Sequence, residues 1–310
     1  MSVLSRPYFH DEQAAFTFVE GIIWPKGPIC PHCGCSDRIT AITPNPAKRV
    51  RFGLKKCRDC LGQFTVRMGT IFEESKLPMT KWLQAIFLMT ASKKGVSAHQ
   101  LHRTLEVTYK TAWFLAHRIR EAMRDGELAP FGGGGGFVEV DETFIGHRKG
   151  APTRQGFGHK MMVLSLVDRD TGAKRSMVLP DYKPQTIADM ASANLAREAV
   201  LMTDEAGHYK RVGAKVAGHY SVNHRKEEYV SRESPLVHTN TIEGSFAIFK
   251  RGMRGVYQHC GEQHLHRYLA EFDFRYSYRV GTGFDDTHRA VKALEGVVGK
   301  RLTYRQPSDA

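Results

Sequence analysis

Two pairs of cysteines and three carboxylates are the residues with the most chemistry to offer. Cys30 and Cys33 (CPHC) form one Cys-x-x-Cys and Cys57 and Cys60 (CRDC) a second, with 23 residues between the pairs. That gap is slightly more than the roughly 15–20 residues common between paired zinc knuckles. Each knuckle can turn two thiolates onto one ion, and two knuckles complete a tetrahedral site. A structural Zn2+ there would hold together a small β unit with too little core to fold alone. Disulfides do not suit a reducing cytoplasm, and a thioredoxin-like redox pair needs only one such motif. Cys35 and His32 are spare ligands outside the repeated geometry, and Cys260 is expected to be a small buried residue.

The acids are Asp141, Asp204 and Glu243. Asp141 lies in or at the end of the strand FVEVDETFIG, Asp204 follows the apolar VLMT, and Glu243 falls in the first turn of a helix after the cap-like Thr239–Asn240. A carboxylate buried among apolar residues without a partner is costly, so a cation is expected beside Asp141 and Asp204. Asp168, Asp170, Asp189 and Glu205 read instead as solvated surface acids. Alternation puts Phe137, Glu139, Asp141 and Thr143 on one face of the strand, and Val138, Val140, Glu142 and Phe144 on the other. The second face is the more apolar, and Glu139 becomes the nearest rival of Asp141.

The elements that must position these residues follow from periodicity. PMTKWLQAIFLMTASKKG places Trp82, Ala85, Ile86 and Met89 on one helical stripe. A short helix is expected from Ser97, a break near Glu106–Val107 and a longer helix from Thr108, with Ser97 and Thr108 as N-caps. Leu101, Leu105, Ala112, Leu115 and Ile119 would join the two helices. The second helix carries Lys110, His117, Arg118 and Arg120, giving the outline of a helix-turn-helix. ELAPFGGGGG reads as a flexible joint and a domain boundary near residue 131. Beyond it, three strands, a helix, two more strands and further helices describe an α/β fold, a mixed sheet covered on its faces.

With 310 residues, 41% hydrophobic content and 13 Pro, the chain is expected to be globular. No apolar run is long enough to span a bilayer, and MSVLSRPYFHDEQ lacks the pattern of a secretory signal. The expected location is therefore the cytoplasm, with no membrane partner. The formal charge is +13. Residues 1–130 carry 19 Lys and Arg against 11 Asp and Glu, so the excess is densest there. Such a surface attracts polyanions, nucleic acid first. Lys55, Lys56 and Arg58, crowded around the second knuckle, are candidate phosphate contacts.

Taken together, VEVDETFIG, LMTDEAG, HTNTIEGSFAIFKRGMRGVYQH and HLHRYLAEFDFRYSYR resemble the catalytic domain of DDE-type bacterial insertion-sequence transposases. More narrowly they resemble the group with an N-terminal zinc ribbon, related to the eukaryotic Merlin transposons. The resemblance runs from about residue 10 to 280. It implies an RNase H-like fold, a bacterial, nucleoid-associated protein, and Asp141, Asp204 and Glu243 as the metal-binding triad. The third position varies in this group, so Asn240 and Lys250 stand beside Glu243 as alternates.

The resemblance divides the chain into a zinc ribbon (1–75), a helix-turn-helix-like segment (76–130), a catalytic domain (131–285) and a C-terminal tail (286–310). It implies a transposase that binds terminal inverted repeats and cuts and rejoins DNA with two Mg2+ or Mn2+ ions per active site. Lys110 and Arg118 in the helical segment, and Lys250, Arg251 and Arg254 after the third acid, are candidate DNA contacts. His238, His259, His264 and His266 are further candidates. The partners implied are double-stranded DNA, both ends and target, and a second copy of the chain to hold two ends together. Two other classes use the same residues: an RNase H-like nuclease that only hydrolyses, and a non-catalytic DNA-binding regulator.

Overall fold

Three polar side chains written into the chain as helix starts act as such. The computed structural model describes residues 2–48, 50–124, 126, 129–153 and 156–303. Asp11 accepts from the Ala14 N–H and opens α1 (Glu12–Ile23). A three-stranded antiparallel sheet follows, β1 (Ile39–Ala41), β2 (Lys55–Cys57) and β3 (Gln63–Phe64), in that order. Its small core consists of Cys30, Cys57 and Phe64, flanked by Trp24, Cys35, Ile39 and Met68.

Next come α2 (Met79–Ala91), α3 (Ala98–Leu105) and α4 (Tyr109–Met123). The expected stripe Trp82, Ala85, Ile86 and Met89 is buried, as are Leu101, Leu105, Ala112, Leu115 and Ile119 between α3 and α4. Ser97 and Thr108 cap their helices, and Glu106 ends α3 in the left-handed conformation. The start of α2 has Pro78 at its cap and no capping side chain of its own. Glu12 of α1 supplies the missing acceptor, taking the N–H groups of Met79 at 2.7 Å and Thr80 at 3.1 Å.

The basic face expected on α4 is largely interior. Every residue from Leu115 to Met123 is buried, including His117, Arg118 and Arg120. Arg118 donates to the Glu73 carbonyl at 2.6 Å and lies over the Trp82 and Phe114 rings.

The second compact unit comprises residues 93–95 and 125–284. Its sheet contains β4 (Phe137–Ile145), β5 (Met161–Asp168), β6 (Lys174–Val178), β7 (Val200–Thr203) and β8 (Gly218–Ser221). The strand order is β6-β5-β4-β7-β8. The pairs β4–β5 and β5–β6 are antiparallel, while β7 runs parallel to both β4 and β8. Three antiparallel strands followed by two parallel ones, with β4 central, make an RNase H-like sheet.

One face is covered by α5 (Pro184–Ala193) and α6 (Tyr209–Gly213), which pack on Val138, Val140, Leu164, Leu166 and Leu201. The other is covered by α7 (Asn240–Gly252), its π-helical extension Met253–Tyr257, and α8 (Leu265–Ser277). The alternation read along β4 therefore holds, with Asp141 and Glu139 facing α7. Burial is equal on both sides, though, with Glu139 and Thr143 as enclosed as Val138 and Val140.

The five glycines are a packed turn inside the second unit, not a loose joint. Gly132, Gly134 and Gly135 all have positive φ, which glycine alone adopts at no cost. The Gly136 N–H donates back to the Gly132 carbonyl at 3.2 Å. Asp168, expected as a surface acid, is buried beside this turn and accepts the Gly132 N–H. The segment expected as a tail, 286–310, contains α9 (Asp286–Glu295), which packs on α1, α2 and α4. The first compact unit is thus residues 1–92, 96–124 and 285–310, of which those beyond 303 lie outside the described residues. Among the described residues no helix is long and apolar enough to cross a membrane.

Candidate active site and cysteine cluster

The four knuckle cysteines converge. Their sulfur atoms all lie within 4.8 Å of one another, with Cys30 to Cys60 at 3.6 Å and Cys33 to Cys57 at 3.7 Å. A tetrahedron with metal–sulfur bonds of about 2.3 Å has edges of about 3.8 Å, so the spacing fits a zinc ion and is far too long for a disulfide. The backbone N–H of Cys60, and behind it that of Asp59, point at the Cys57 sulfur and hold its thiol down to about 6. Those donors favour the thiolate a metal needs. Cys35 stands beside the four: its sulfur lies within 4.8 Å of Cys57 and Asp59 and donates to Asp37 Oδ1 at 3.3 Å. Cys260 is half-buried beside the α7–α8 core.

The three acids arrive on three different elements. Asp141 is in the middle of central strand β4, paired with Ser165 of β5. Asp204 follows the last residue of β7, next to β4. Glu243 is in the first turn of α7, the helix over the Asp141 face. Burial raises the Asp141 carboxyl well above its usual range, and the charges of Glu142, Asp204 and Glu243 push it further the same way. Burial also raises Asp204, with Glu142 and Glu205 adding to it. Half-buried carboxylates that repel one another are the donor set a hard divalent cation satisfies. Unlike the four thiols, their oxygen atoms do not all fall within 4.8 Å of one another.

Each acid is held by neighbours. The Glu142 N–H donates to Asp141 Oδ1 at 2.7 Å, and the Ala206 N–H to Asp204 Oδ1 at 3.0 Å. Thr239 Oγ1 donates to Glu243 Oε1 at 2.8 Å, and His224 Nε2 lies 3.2 Å from the same oxygen. Glu142 points to the opposite face, where its Oε1 is 2.7 Å from His208 Nε2. Of the alternates, Asn240 is exposed at the start of α7. Lys250, two turns beyond Glu243, is half-buried. Burial lowers its ammonium, while the Asp141 charge pulls it back up.

A model of the ISXO2-like transposase domain matches residues 134–277, which include all three acids. A model of the transposase zinc-ribbon domain matches residues 10–63, which include all four cysteines. The chain carries an insertion-sequence transposase domain behind a transposase zinc ribbon. A protein in transposable element ISH50 of Halobacterium salinarum is 27% identical to it over 286 residues, covering 86% of this chain and 91% of that one. The structure of the Drosophila P element transposase strand transfer complex is similar over 72% of this chain, at 11% identity and a TM-score of 0.27. The chain spans 65% of that protein's length.

Around the transposase domain and its ribbon, the candidate DNA contacts separate into two kinds. Lys56, Arg58, Lys110, Arg251 and Arg254 are exposed. Lys55 is turned inward, 2.6 Å from Glu20 and over the Trp24 ring, and Arg118 is buried as described. Among the histidines, His259 is exposed, while His238 is bound up with Arg169. Glu139, the rival of Asp141 in the strand, is fully buried and paired with Arg169 at 2.6 Å. Sequence spacing held no signal for that pair, whose partners are 30 residues apart.

Proposed function

We propose that the protein is a transposase that binds the terminal inverted repeats of its element and performs divalent-metal-dependent strand cleavage and strand transfer. What carries this reading is the placement of three carboxylates on adjoining elements: Asp141 in the middle of central β4, Asp204 just past neighbouring β7, and Glu243 in the first turn of the helix over the Asp141 face. Asp141, Asp204 and Glu243 would hold two Mg2+ or Mn2+ ions, with Asn240 and Lys250 as alternates at the third position. Such ions activate an attacking water or 3′-hydroxyl and offset the charge on the leaving oxygen. Asp141, lying between the other two elements, is the residue suited to serve both ions. Lys250, Arg251 and Arg254 offer cations to phosphates along the same helix.

The ribbon (1–75), with structural zinc, and the helical segment (76–130) supply DNA recognition, through Lys56, Arg58 and Lys110. Residues 131–285 carry the chemistry. A dimer or larger assembly on DNA is expected, because two ends must be cut and joined together. The setting is the bacterial nucleoid.

The test is Asp141→Asn in assays of end binding, end cleavage and end joining. Lost cleavage and joining with retained end binding supports the proposal, and retained cleavage overturns the assignment of the acid. Cleavage by the wild-type protein without any joined product would identify a nuclease instead.

A further inference from the structure

Helix α7 has an N-cap residue that does not cap. Thr239 Oγ1 accepts no backbone N–H of the first turn; its hydroxyl donates to the Glu243 side chain instead. The vacant role is taken from the sheet. Glu139, fully buried on β4, accepts the Ile242 N–H on Oε2 at 2.8 Å. It thereby places a carboxylate where a helix start favours negative charge.

The other oxygen of Glu139 takes Arg169 Nε at 2.6 Å. Arg169 in turn donates from Nη1 to the Leu236 carbonyl and from Nη2 to the His238 carbonyl, both at 2.6 Å. Its Nη2 also lies 2.9 Å from His238 Nδ1. One planar guanidinium therefore holds the segment that leads into α7, while its partner carboxylate holds the helix's first turn. Glu139 precedes Asp141 by two residues on the same strand face, and Ile242 immediately precedes Glu243.

We propose that Glu139 is a positioning residue. Acting through Arg169 and the Ile242 N–H, it sets where α7 presents Glu243 relative to Asp141, and so sets the affinity of the acidic site for a divalent cation. This rests on the metal-site assignment made above. It also gives each oxygen of Glu139 a hydrogen-bond partner within the protein. Partners that orient metal ligands typically change affinity by roughly 10–100-fold when removed.

The test is calorimetric titration of Mn2+ into the zinc-loaded full-length chain without DNA, with unfolding followed in parallel. Arg169→Lys keeps the charge but cannot reach both carbonyls and the carboxylate at once. It and Glu139→Gln are expected to weaken Mn2+ binding by roughly tenfold or more while remaining folded. Arg169→Lys combined with Glu243→Gln should bind no more weakly than Glu243→Gln alone, because the network acts through Glu243.

Wild-type affinity in folded Arg169→Lys, or additive losses in the double variant, would overturn the proposal. So would unfolding of both single variants, which would assign the network to the fold alone. Asp141→Asn separates the two layers. If it abolishes Mn2+ binding while Arg169→Lys does not weaken it, only the positioning role falls. If Asp141→Asn binds Mn2+ like the wild type, the metal-site assignment falls and the positioning role with it.

Discussion

Asp168 Oδ2 accepts the backbone N–H of Gly132 at 3.1 Å, which ties the end of β5 to the turn that leads into β4. The other oxygen of Asp168 takes the N–H groups of Asp170 and Thr171, so one buried carboxylate organises both turns at this edge of the second unit. The glycines that enter β4 are consequently not interchangeable. A methyl group at Gly132 would lie 2.4 Å from the Ala199 Cβ, on a backbone with φ of +78°. Gly133 has open space around it. Gly132→Ala should cost roughly 1–2 kcal/mol for the left-handed backbone and about 1–3 kcal/mol more for overpacking. Gly133→Ala should be neutral or slightly stabilising. Urea unfolding of the two variants checks this, and equal midpoints would contradict it.

The acidic site should destabilise the metal-free protein. Burial raises the Asp141 carboxyl well above its usual range. A carboxyl whose folded pKa is raised favours folding while it is protonated, and this support is lost as pH rises through the folded value. Asp141→Asn removes that penalty. Without divalent ions it should stabilise the protein, within the roughly 0.5–2 kcal/mol common for single stabilising substitutions. The gain should be present at pH above the raised carboxyl and vanish in acid. Thermal unfolding across pH measures it, and a variant less stable than the wild type at every pH would refute it.

The ribbon should depend on its ion. Its three strands span only 3, 3 and 2 residues, and two of its three fully buried core residues are Cys30 and Cys57 of the four-sulfur cluster. Structural zinc in such units contributes on the order of 10–16 kcal/mol of apparent folding free energy. Cys57→Ser should release the metal and melt β1–β3. Native mass spectrometry with amide exchange reads both outcomes, and an unchanged zinc content would exclude the four-thiolate site.

Basic residues should divide by burial in DNA binding. Lys56→Ala and Lys110→Ala remove exposed charges, and each should lower the salt dependence of binding by about one unit of slope. Arg118→Ala removes a buried side chain bonded to the Glu73 carbonyl. It should lower the unfolding temperature and leave the slope of the folded protein unchanged. Titrations at several salt concentrations separate the two behaviours.

Local rules made the secondary elements legible. Period-2 alternation assigned the two faces of β4, and polar caps at Ser97 and Thr108 set the starts of α3 and α4. Paired Cys-x-x-Cys motifs located the cysteine cluster, since the ligands come in preset local geometry. What stayed hidden depends on distant partners. Arg118 looks like part of a solvated basic face until the Glu73 carbonyl, 45 residues away, and the Trp82 ring take it up. Glu139 looks like a rival ligand until Arg169 and the Ile242 N–H, 30 and 103 residues away, take up its oxygens. The glycine run reads as slack because composition alone does not show that Ala199 stands against it.

The packing of α9 also orders events at the ribosome. The second unit ends at Phe284, so all its strands and covering helices have been made before the last helix of the first unit is translated. The first unit waits longer: α1, α2 and α4 emerge early, yet the helix that packs on all three is encoded near the other end of the chain. The helix that packs on α1, α2 and α4 is therefore encoded after every strand and helix of the second unit.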